Sequence, residues 1–198
     1  SIFVDIDNDL ASEKQTGTGR HPLPDVDMFC EKLSHWGMSN NKQVVIYDDA
    51  GGAFAGRMWW MMKWLGHDLV AVLDGGVNSW VKEGNKLVTS PTIFEKSYFE
   101  PNVRNDMIAQ VSDVEEAQFK MNTILLDARS KERYDGLNDP VDPVAGHVPG
   151  AISHPLGNNL DRTSKFRSKE ELIHNFGKIS QELNTKQIIS MCGSGITA

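Results

Sequence analysis

Two short stretches of this 198-residue chain share one pattern, an apolar run followed by a loop that contains two glycines. Residues 44–47 (Val-Val-Ile-Tyr) precede Asp-Asp-Ala-Gly-Gly, and residues 188–191 (Ile-Ile-Ser-Met) precede Cys-Gly-Ser-Gly. A continuous apolar run between turn signals indicates a buried strand, and glycines let successive backbone N–H groups turn toward one point. The chain therefore contains two copies of one strand-and-loop pattern, opened by Asp48 in the first copy and by Cys192 in the second.

Helix and strand patterns alternate around these loops. The pattern in the first half predicts a helix over 24–37 that ends at a glycine, a strand over 44–47, a helix over 56–65 and a strand over 69–73. In the second half, residues 112–115 and 168–171 fit the capping box that begins a helix. The apolar partners expected for these two helices are Ala117, Phe119, Leu172, Ile173 and Phe176.

This alternation indicates the fold class and the domain boundaries. Continuous apolar strands that alternate with helices predict an α/β fold, in which each sheet is mainly parallel and is covered by helices on both faces. The aperiodic stretch 89–110 is the predicted linker between a first domain, 1–88, and a second domain, 111–198. If the repeat lengths hold, the first domain lacks its N-terminal part and the second its C-terminal part, roughly 40 residues or more each. We therefore expect both domains to be incomplete.

Charge and hydropathy argue against two classes of partner. The formal net charge is −7, whereas nucleic acids and anionic membranes bind clustered lysine and arginine. The most apolar stretch, 58–62, is far shorter than the ~20 residues of a membrane span. The chain has only two cysteines, Cys30 and Cys192, which is typical of a reducing compartment. We therefore expect a cytoplasmic protein that binds neither nucleic acid nor membrane.

The loop after the second apolar run has the properties of an activated cysteine. Cys192 lies at the carboxyl end of the predicted strand, where ligands of open α/β sheets bind. Gly193 and Gly195 allow backbone N–H groups to point at the sulfur, and such donors lower the pKa of a thiol by stabilising the thiolate. Cys30, in contrast, shares an apolar helical face with its neighbours, so we predict a structural role for it.

Six segments spread between residues 56 and 198 carry a resemblance to one enzyme family. The segments are 56–60 (Gly-Arg-Met-Trp-Trp), 73–80 (Leu-Asp-Gly-Gly-Val-Asn-Ser-Trp), 124–129 (Ile-Leu-Leu-Asp-Ala-Arg), 132–134 (Glu-Arg-Tyr), 146–151 (Gly-His-Val-Pro-Gly-Ala) and 192–198 (Cys-Gly-Ser-Gly-Ile-Thr-Ala). In this order they resemble the motifs of the tandem-domain rhodanese-type sulfurtransferases, the 3-mercaptopyruvate and thiosulfate sulfurtransferases. The first two resemble the non-catalytic first domain of that family.

The resemblance implies two rhodanese-like domains and a sulfurtransferase activity. A sulfane sulfur from 3-mercaptopyruvate or thiosulfate, both small anionic donors, would pass through a persulfide on Cys192. The acceptor would be cyanide or a small thiol, including a thioredoxin-like protein. Neither a metal nor an organic cofactor is implied, and a metal site built from Asp142, His147 and His154 has no recognisable ligand spacing.

The resemblance also implies roles for particular residues. Cys192 would be the nucleophile, and Ser194, His21 and Asp7 would form a relay that activates the cysteine or polarises the substrate. Arg133 would pair with the anionic group of the donor. The remaining binding positions would be those of the cysteine loop, Gly193, Gly195, Ile196 and Thr197. Arg129 would fix the segment 146–151 instead, and we predict a structural role for His147.

Two features of the sequence point to different donors. Thiosulfate-specific relatives carry basic residues directly after the cysteine, whereas Gly193 and Ser194 stand here, which favours 3-mercaptopyruvate. The mercaptopyruvate enzymes usually supply a second arginine in the segment that matches 139–143, and this chain has none there. A thiosulfate-specific rhodanese therefore stays an alternative.

Two rival classes of function are less well supported. A cysteine phosphatase would use the same strand and loop, but it needs an arginine six residues after the cysteine to clamp phosphate, and Ala198 stands there. A non-catalytic sulfur-carrier module is the expectation for the first domain alone, because Asp48 replaces the thiol. The second domain keeps its cysteine and is expected to be catalytic.

Overall fold

The chain folds into two compact α/β units, a first unit, Ser1–Met107, and a second unit, Ile108–Ala198. The computed structural model describes residues 1–117, 119–120, 122–181 and 187–198. All strand pairs within the two sheets are parallel. The parallel α/β class predicted from the alternating pattern is therefore confirmed.

The first unit alternates helices and strands after an irregular N-terminal segment. Its elements are α1 (Val26–His35), β1 (Val44–Ile46), α2 (Ala55–Trp64), β2 (Val70–Val72) and α3 (Gly76–Lys82). β1 and β2 pair in parallel, with Val44 opposite Val70. Asp25 begins α1 by accepting a hydrogen bond from the Met28 amide at 3.0 Å, and Gly37 follows its end with a left-handed φ of 77°. The four elements predicted for this half are confirmed.

Helix α2 supplies much of the apolar core of the first unit. Met61 and Met62 are fully buried, and the rings of Trp60 and Trp64 stack with their centroids 6.0 Å apart. Full burial of one such side chain stabilises the fold by about 1.5–3 kcal/mol. The tryptophan and methionine run is therefore core, as its helical spacing predicts, although Trp59 lies on the outer face and is exposed.

Most of the predicted linker, residues 89–107, falls within the first unit. Phe99 is 2% exposed, its ring packs edge-on against His67, and its amide donates to the Ser34 hydroxyl at 3.2 Å. The Arg104 guanidinium also pairs with Asp68 at 2.7 Å. This segment therefore packs as part of the first unit despite its lack of sequence periodicity.

The second unit contains a three-stranded sheet. Its elements are α4 (Val111–Ala117), β3 (Thr123–Asp127), α5 (Lys131–Tyr134), β4 (Ile152–Ser153), α6 (Lys169–Gln181) and β5 (Gln187–Met191). The strands lie in the order β4-β3-β5, so β3 is central and four of its five residues are buried. Leu125 of β3 and Ile189 of β5 form a small apolar core with Ala117 and Ala151. The carboxyl ends of β3 and β5 consequently lie side by side, with Asp127 paired to Met191.

One of the two predicted capping boxes is confirmed and the other is wrong. At the start of α6, the Ser168 hydroxyl accepts from the Glu171 amide at 3.2 Å, and the Glu171 carboxylate accepts from the Ser168 amide at 3.0 Å. At the start of α4, Asp113 instead accepts from the Gln110 amide at 2.7 Å, so the helix begins before Ser112. The Asp113 carboxylate, three residues after Gln110, satisfies the free amide of Gln110, so the helix is capped there and not at Ser112.

The two helices also differ from the expected apolar contacts. Ala117 is buried, but Phe119 lies beyond the end of α4 and is 87% exposed, so it is not a packing partner. On α6, Leu172 and Phe176 are half-buried, whereas Ile173 points away from the core and is exposed. In the part of the chain that the structure describes, no helix combines the length and the apolar character required to cross a bilayer.

The turn before α3 yields a prediction about the first unit. Gly76 has a φ of 60°, and a Cβ atom there would lie 2.1 Å from the Asp48 carbonyl oxygen. We expect Gly76→Ala to destabilise the first unit by more than about 3 kcal/mol, because the backbone must move and the residue keeps a left-handed conformation. All five tryptophans lie between residues 36 and 80, so urea unfolding followed by tryptophan fluorescence reports this unit alone.

Gly84→Ala is the matched control for this prediction. Gly84 also has a positive φ, 84°, but no atom lies within 4 Å of the position its Cβ would take. We expect a loss of about 1–2 kcal/mol from the backbone conformation alone. Equal losses for the two variants would show that the approach to Asp48 costs nothing.

Candidate active site

Cys192 follows directly on β5, at the carboxyl edge of the sheet in the second unit. β5 pairs with the buried central strand β3 along its full length, and the Ala128 amide donates to the Met191 carbonyl at 2.8 Å just beyond the last pair. These contacts fix the backbone that carries the cysteine. The predicted position of Cys192 at the end of a parallel strand is confirmed.

The cysteine loop surrounds its own sulfur with hydrogen-bond donors. The Gly195 amide donates to the Cys192 Sγ at 3.1 Å, and the Ser194 amide and the hydroxyl and amide of Thr197 also donate to it. Burial by itself raises the pKa of Cys192, but these donors outweigh it and bring the pKa below the ordinary cysteine value. The loop therefore favours the thiolate, the form that acts as a nucleophile.

Cys30 shows the opposite behaviour in the first unit. Its side chain is buried in α1, and burial together with the charges of Asp27 and Asp25 raises the pKa of its thiol to about 11. A thiol with this pKa stays protonated at neutral pH. The structural role predicted for Cys30 agrees with this environment.

Asp48 occupies the equivalent place in the first unit, directly after β1 and Tyr47. One carboxylate oxygen accepts from the Ala50 and Gly52 amides at 3.0 and 2.9 Å, and the other accepts from the Phe54 and Ala55 amides, both at 2.9 Å. Burial raises the pKa of Asp48, but the hydrogen bonds from these four amides lower it by a larger amount, so the pKa lies below its ordinary value. A permanent carboxylate therefore fills this loop.

The hydrogen bonds from the loop amides to Asp48 were not predicted from the sequence, where Asp48 was interpreted only as a replacement for the thiol. A signal was present, because aspartate side chains at the start of a loop commonly accept hydrogen bonds from amides a few residues further on. The contacts here extend to Ala55, the first residue of α2, so the carboxylate also binds the N-terminus of that helix.

Arg133 lies on the short helix α5 and pairs with two aspartates. Its Nε donates to Asp139 Oδ1 at 3.1 Å, and its Nη2 donates to Asp142 Oδ2 at 2.5 Å. In the contacts that the structure describes, these aspartates and not the adjacent Glu132 pair with its guanidinium. Both aspartates come from the proline-containing segment 139–143, where no periodic pattern predicts these contacts.

Arg129 is buried and organises the loop behind Arg133. Its guanidinium forms a close ion pair with Asp127 at 2.7 Å, contacts Asp139 at 3.3 Å, and donates to the Gly146 carbonyl at 2.7 Å. Hydrogen bonding to Asp127 is the main cause that raises the pKa of Arg129. The bond to Gly146 confirms that Arg129 fixes the start of the segment 146–151.

Two histidines of the second unit, His147 and His154, have structural partners. His147 Nδ1 donates a hydrogen bond to the Tyr134 carbonyl at 2.8 Å, and the centroids of the two rings stack 3.7 Å apart. His154 Nε2 bonds Asn159 Oδ1 at 2.9 Å. These contacts agree with the structural role predicted for His147.

His21 and Asp7 lie close together in the first unit. His21 Nε2 is 3.0 Å from Asp7 Oδ1, and the His21 Nδ1 atom is buried without a hydrogen-bond partner among the described residues. Arg57, which is 4% exposed, donates to the carbonyls of Leu10 and His21 at 2.6 and 3.1 Å and so holds this segment on α2. Ser194, the third member of the predicted relay, belongs to the second unit, and the relay itself stays a prediction.

The other predicted binding residues all lie in the cysteine loop. Gly193, Ser194 and Ile196 are half-buried, and Gly195 adopts a left-handed φ of 77° that turns its amide toward the sulfur. The loop thus presents backbone donors and small side chains, with no basic side chain between Cys192 and Ala198. This surface can stabilise negative charge on sulfur by hydrogen bonding.

Comparison with known proteins agrees with this geometry. The rhodanese-like domain family matches residues 1–83 and 110–198. The chain is 36% identical over 198 residues to a probable 3-mercaptopyruvate sulfurtransferase of Pseudomonas aeruginosa and covers 70% of its length. It is 33% identical over 181 residues to the thiosulfate sulfurtransferase of Bos taurus, where the match covers 89% of this chain and 61% of that protein.

Solved structures give the same result. The 3-mercaptopyruvate sulfurtransferase from Leishmania major superposes with a TM-score of 0.78 at 30% identity, over 99% of this chain and 55% of that one. SseA from Escherichia coli superposes with a TM-score of 0.80 at 27% identity, over 99% of this chain and 72% of that one. The two matched regions and the two parallel sheets define a protein with tandem rhodanese-like domains. The chain belongs to the rhodanese-type sulfurtransferase family and spans 55–72% of the length of these four relatives.

The lowered pKa of Cys192 leads to a prediction about its reactivity. Because only the thiolate is alkylated, iodoacetamide should modify Cys192 at a pH below that required by an ordinary cysteine. Thr197→Val removes one hydroxyl donor, so we expect the midpoint of its alkylation profile to move to higher pH. Mass spectrometry of the peptide that contains Cys192, measured as a function of pH, checks both statements.

Cys30 provides the internal control in the same sample. With a pKa of about 11, it should react only in strongly alkaline solution, and Thr197→Val should leave its profile unchanged. If Cys192 and Cys30 titrate together, the loop donors do not stabilise the thiolate.

Proposed function

We propose that this protein transfers a sulfane sulfur through a persulfide on Cys192. The observation that supports the proposal is the position of Cys192 within a loop whose donors lower the pKa of its thiol. A thiolate held by backbone donors is both an available nucleophile and a prepared site for a second anionic sulfur. The same donors act before and after the reaction, so they need no reorganisation at the moment of attack.

In the first half-reaction, the Cys192 thiolate attacks the outer sulfur of the donor. With thiosulfate, the S–S bond of the donor breaks, and sulfite leaves with the electron pair. With 3-mercaptopyruvate, the C–S bond breaks, and the three-carbon fragment takes the electron pair and a proton to leave as pyruvate. Both routes leave one additional sulfur atom on Cys192.

In the second half-reaction, a nucleophilic acceptor removes this sulfur. Cyanide or a small thiol, including one on a thioredoxin-like protein, attacks the outer sulfur of the persulfide and restores the Cys192 thiolate. The S–S bond that formed in the first step breaks here, and its electron pair returns to the cysteine. No electron is gained or lost by the protein over the full cycle, so none of these steps calls for a redox partner.

The loop composition favours 3-mercaptopyruvate as the donor. The residues after the cysteine, Gly193 and Ser194, bring no positive charge to balance the dianion of thiosulfate. Arg133 would orient the carboxylate of the donor, since its planar guanidinium can bind two oxygens at once. His21, supported by Asp7, would work with Ser194 to deliver the proton that the departing carbon requires.

The first unit would have no sulfur chemistry of its own. Asp48 fills its loop with four amide hydrogen bonds, and a carboxylate with a lowered pKa neither leaves the loop nor carries sulfur. Its proposed contribution to the reaction is the pair His21 and Asp7. A reducing compartment such as the cytoplasm suits this function, because Cys192 must stay a free thiol between cycles.

A direct test is the mass of the protein after incubation with each donor. We expect an increase by one sulfur atom, located on the peptide that contains Cys192 and lost on addition of cyanide. Cys192→Ser should abolish the adduct and reduce turnover at least about 10⁴-fold, whereas Cys30→Ser should keep both. Turnover without an adduct on Cys192 would contradict the proposed function.

The role of His21 is tested by comparing the two donors. Pyruvate forms only when the departing carbon takes up a proton, whereas sulfite leaves without one. His21→Gln should therefore lower kcat about 100-fold with 3-mercaptopyruvate and less than about threefold with thiosulfate. His35→Gln is the control, since His35 is an exposed histidine of α1 that bonds only its own helix carbonyl at Glu31 in the contacts described. An equal loss with both donors would show that His21 does not supply the proton.

A further inference from the structure

The geometry points to Asp142 as a specificity-determining residue that competes with the anionic donor for Arg133, an inference that rests on the proposed function. Asp142 Oδ2 accepts from Arg133 Nη2 at 2.5 Å, while Asp139 Oδ1 accepts from Arg133 Nε at 3.1 Å. Carboxylates therefore already occupy two of the donor positions through which a guanidinium binds an anion.

The two aspartates are held to different degrees. The Asp139 side chain is fully buried, it contacts both Arg129 and Arg133, and its Oδ1 also accepts from the amides of Val141 and Asp142 at 3.1 and 2.9 Å. A carboxylate fixed by two guanidinium groups and two amides does not leave its place without leaving several donors unsatisfied. Asp139 is thus a permanent part of the loop.

Asp142 lies at the outer edge of the same network. Its side chain keeps 21% of its surface exposed, and its contact with Arg129 is longer, at 3.6 Å. The half-buried Arg133 side chain has a similar fraction of its surface open, 22%. Solvent therefore reaches the Arg133–Asp142 pair, and water can replace Arg133 when the carboxylate moves away.

The charge of the network explains why the donor and Asp142 exclude each other. The carboxylates of Asp127, Asp139 and Asp142 face the guanidinium groups of Arg129 and Arg133, which leaves one excess negative charge. An anionic donor on Arg133 increases this excess unless Asp142 withdraws. A dianion increases it more than a monoanion, so Asp142 disfavours thiosulfate more strongly than 3-mercaptopyruvate.

The composition of the segment 139–143 is consistent with the same role. It contains Asp139 and Asp142 and no basic residue, so it adds negative charge beside Arg133. Selectivity for the donor would therefore come from a repulsive element near Arg133 and not from an added attractive one.

The experiment measures binding without turnover. In the Cys192→Ser background, calorimetry gives the Kd of thiosulfate and of 3-mercaptopyruvate before and after Asp142→Asn. Removing the competing charge should lower the Kd about tenfold for thiosulfate and about threefold for 3-mercaptopyruvate. A role of Asp142 in loop structure alone would instead weaken both donors equally, and the inference is overturned if the two Kd values rise, stay unchanged or change by the same factor.

Asp135→Asn is the matched control. Asp135 directly follows α5 and pairs with Lys131 one helical turn away, so this change removes one negative charge a few residues before Asp142 without removing an ion pair of Arg133. We expect both Kd values to stay within about twofold. If Asp142→Asn alters the circular-dichroism melt of the protein, Asp142→Ser in the same assay provides the second measurement of the donor-dependent ratio.

The outcome is separable from a failure of the proposed function. The wild-type protein is tested for a sulfur adduct on Cys192, and absence of the adduct with both donors contradicts sulfur transfer alone. The ratio of Kd changes for the two donors is read in protein that lacks Cys192, so it decides the role of Asp142 independently. If neither donor binds to the Cys192→Ser protein, with or without Asp142→Asn, the proposed competition for Arg133 is also overturned.

Discussion

Hydrogen bonding from backbone amides to one anion, at the end of a parallel strand, is the interaction on which both units depend. In the first unit the anion is the Asp48 carboxylate, and in the second it is the sulfur of Cys192. The amides converge because each loop turns back on itself after its strand, with left-handed glycines at Gly51, Gly52 and Gly195. In each unit the strand positions the anion, and the amides of the loop stabilise its negative charge.

The same loop design serves stability in one unit and reactivity in the other. Four amides satisfy both oxygens of Asp48, and they tie the end of β1 to the start of α2. Cys192 is half-buried and keeps part of its surface open, so its sulfur can be stabilised and still be reached. A carboxylate is charged at any pH near neutrality, whereas a thiol changes charge and bonding, and only the thiol can take part in group transfer.

Local signals in the sequence were sufficient for most of the elements and for the position of Cys192 at the end of a strand. The capping box at Ser168 and Glu171 and the apolar run before Cys192 act over a few residues, and both were read correctly. The contacts of Arg133 with Asp139 and Asp142 could not be read, because they depend on how an irregular, proline-containing segment folds back on a short helix. Periodicity carries no information about such a segment.

The charge of the whole chain limits how the donor can be recognised. With a net charge of −7, long-range electrostatic attraction does not bring an anion to the protein, and screening by salt restricts useful contacts to about 8–10 Å. Under the proposed function, recognition of the donor would come from short-range donors, the amides around Cys192 and the guanidinium of Arg133. Because Asp139 and Asp142 already occupy that guanidinium, the proposed binding of a donor would be an exchange of one carboxylate for another anion. An exchange reaction discriminates between anions by their charge, whereas an empty arginine would bind thiosulfate and 3-mercaptopyruvate in proportion to their attraction alone.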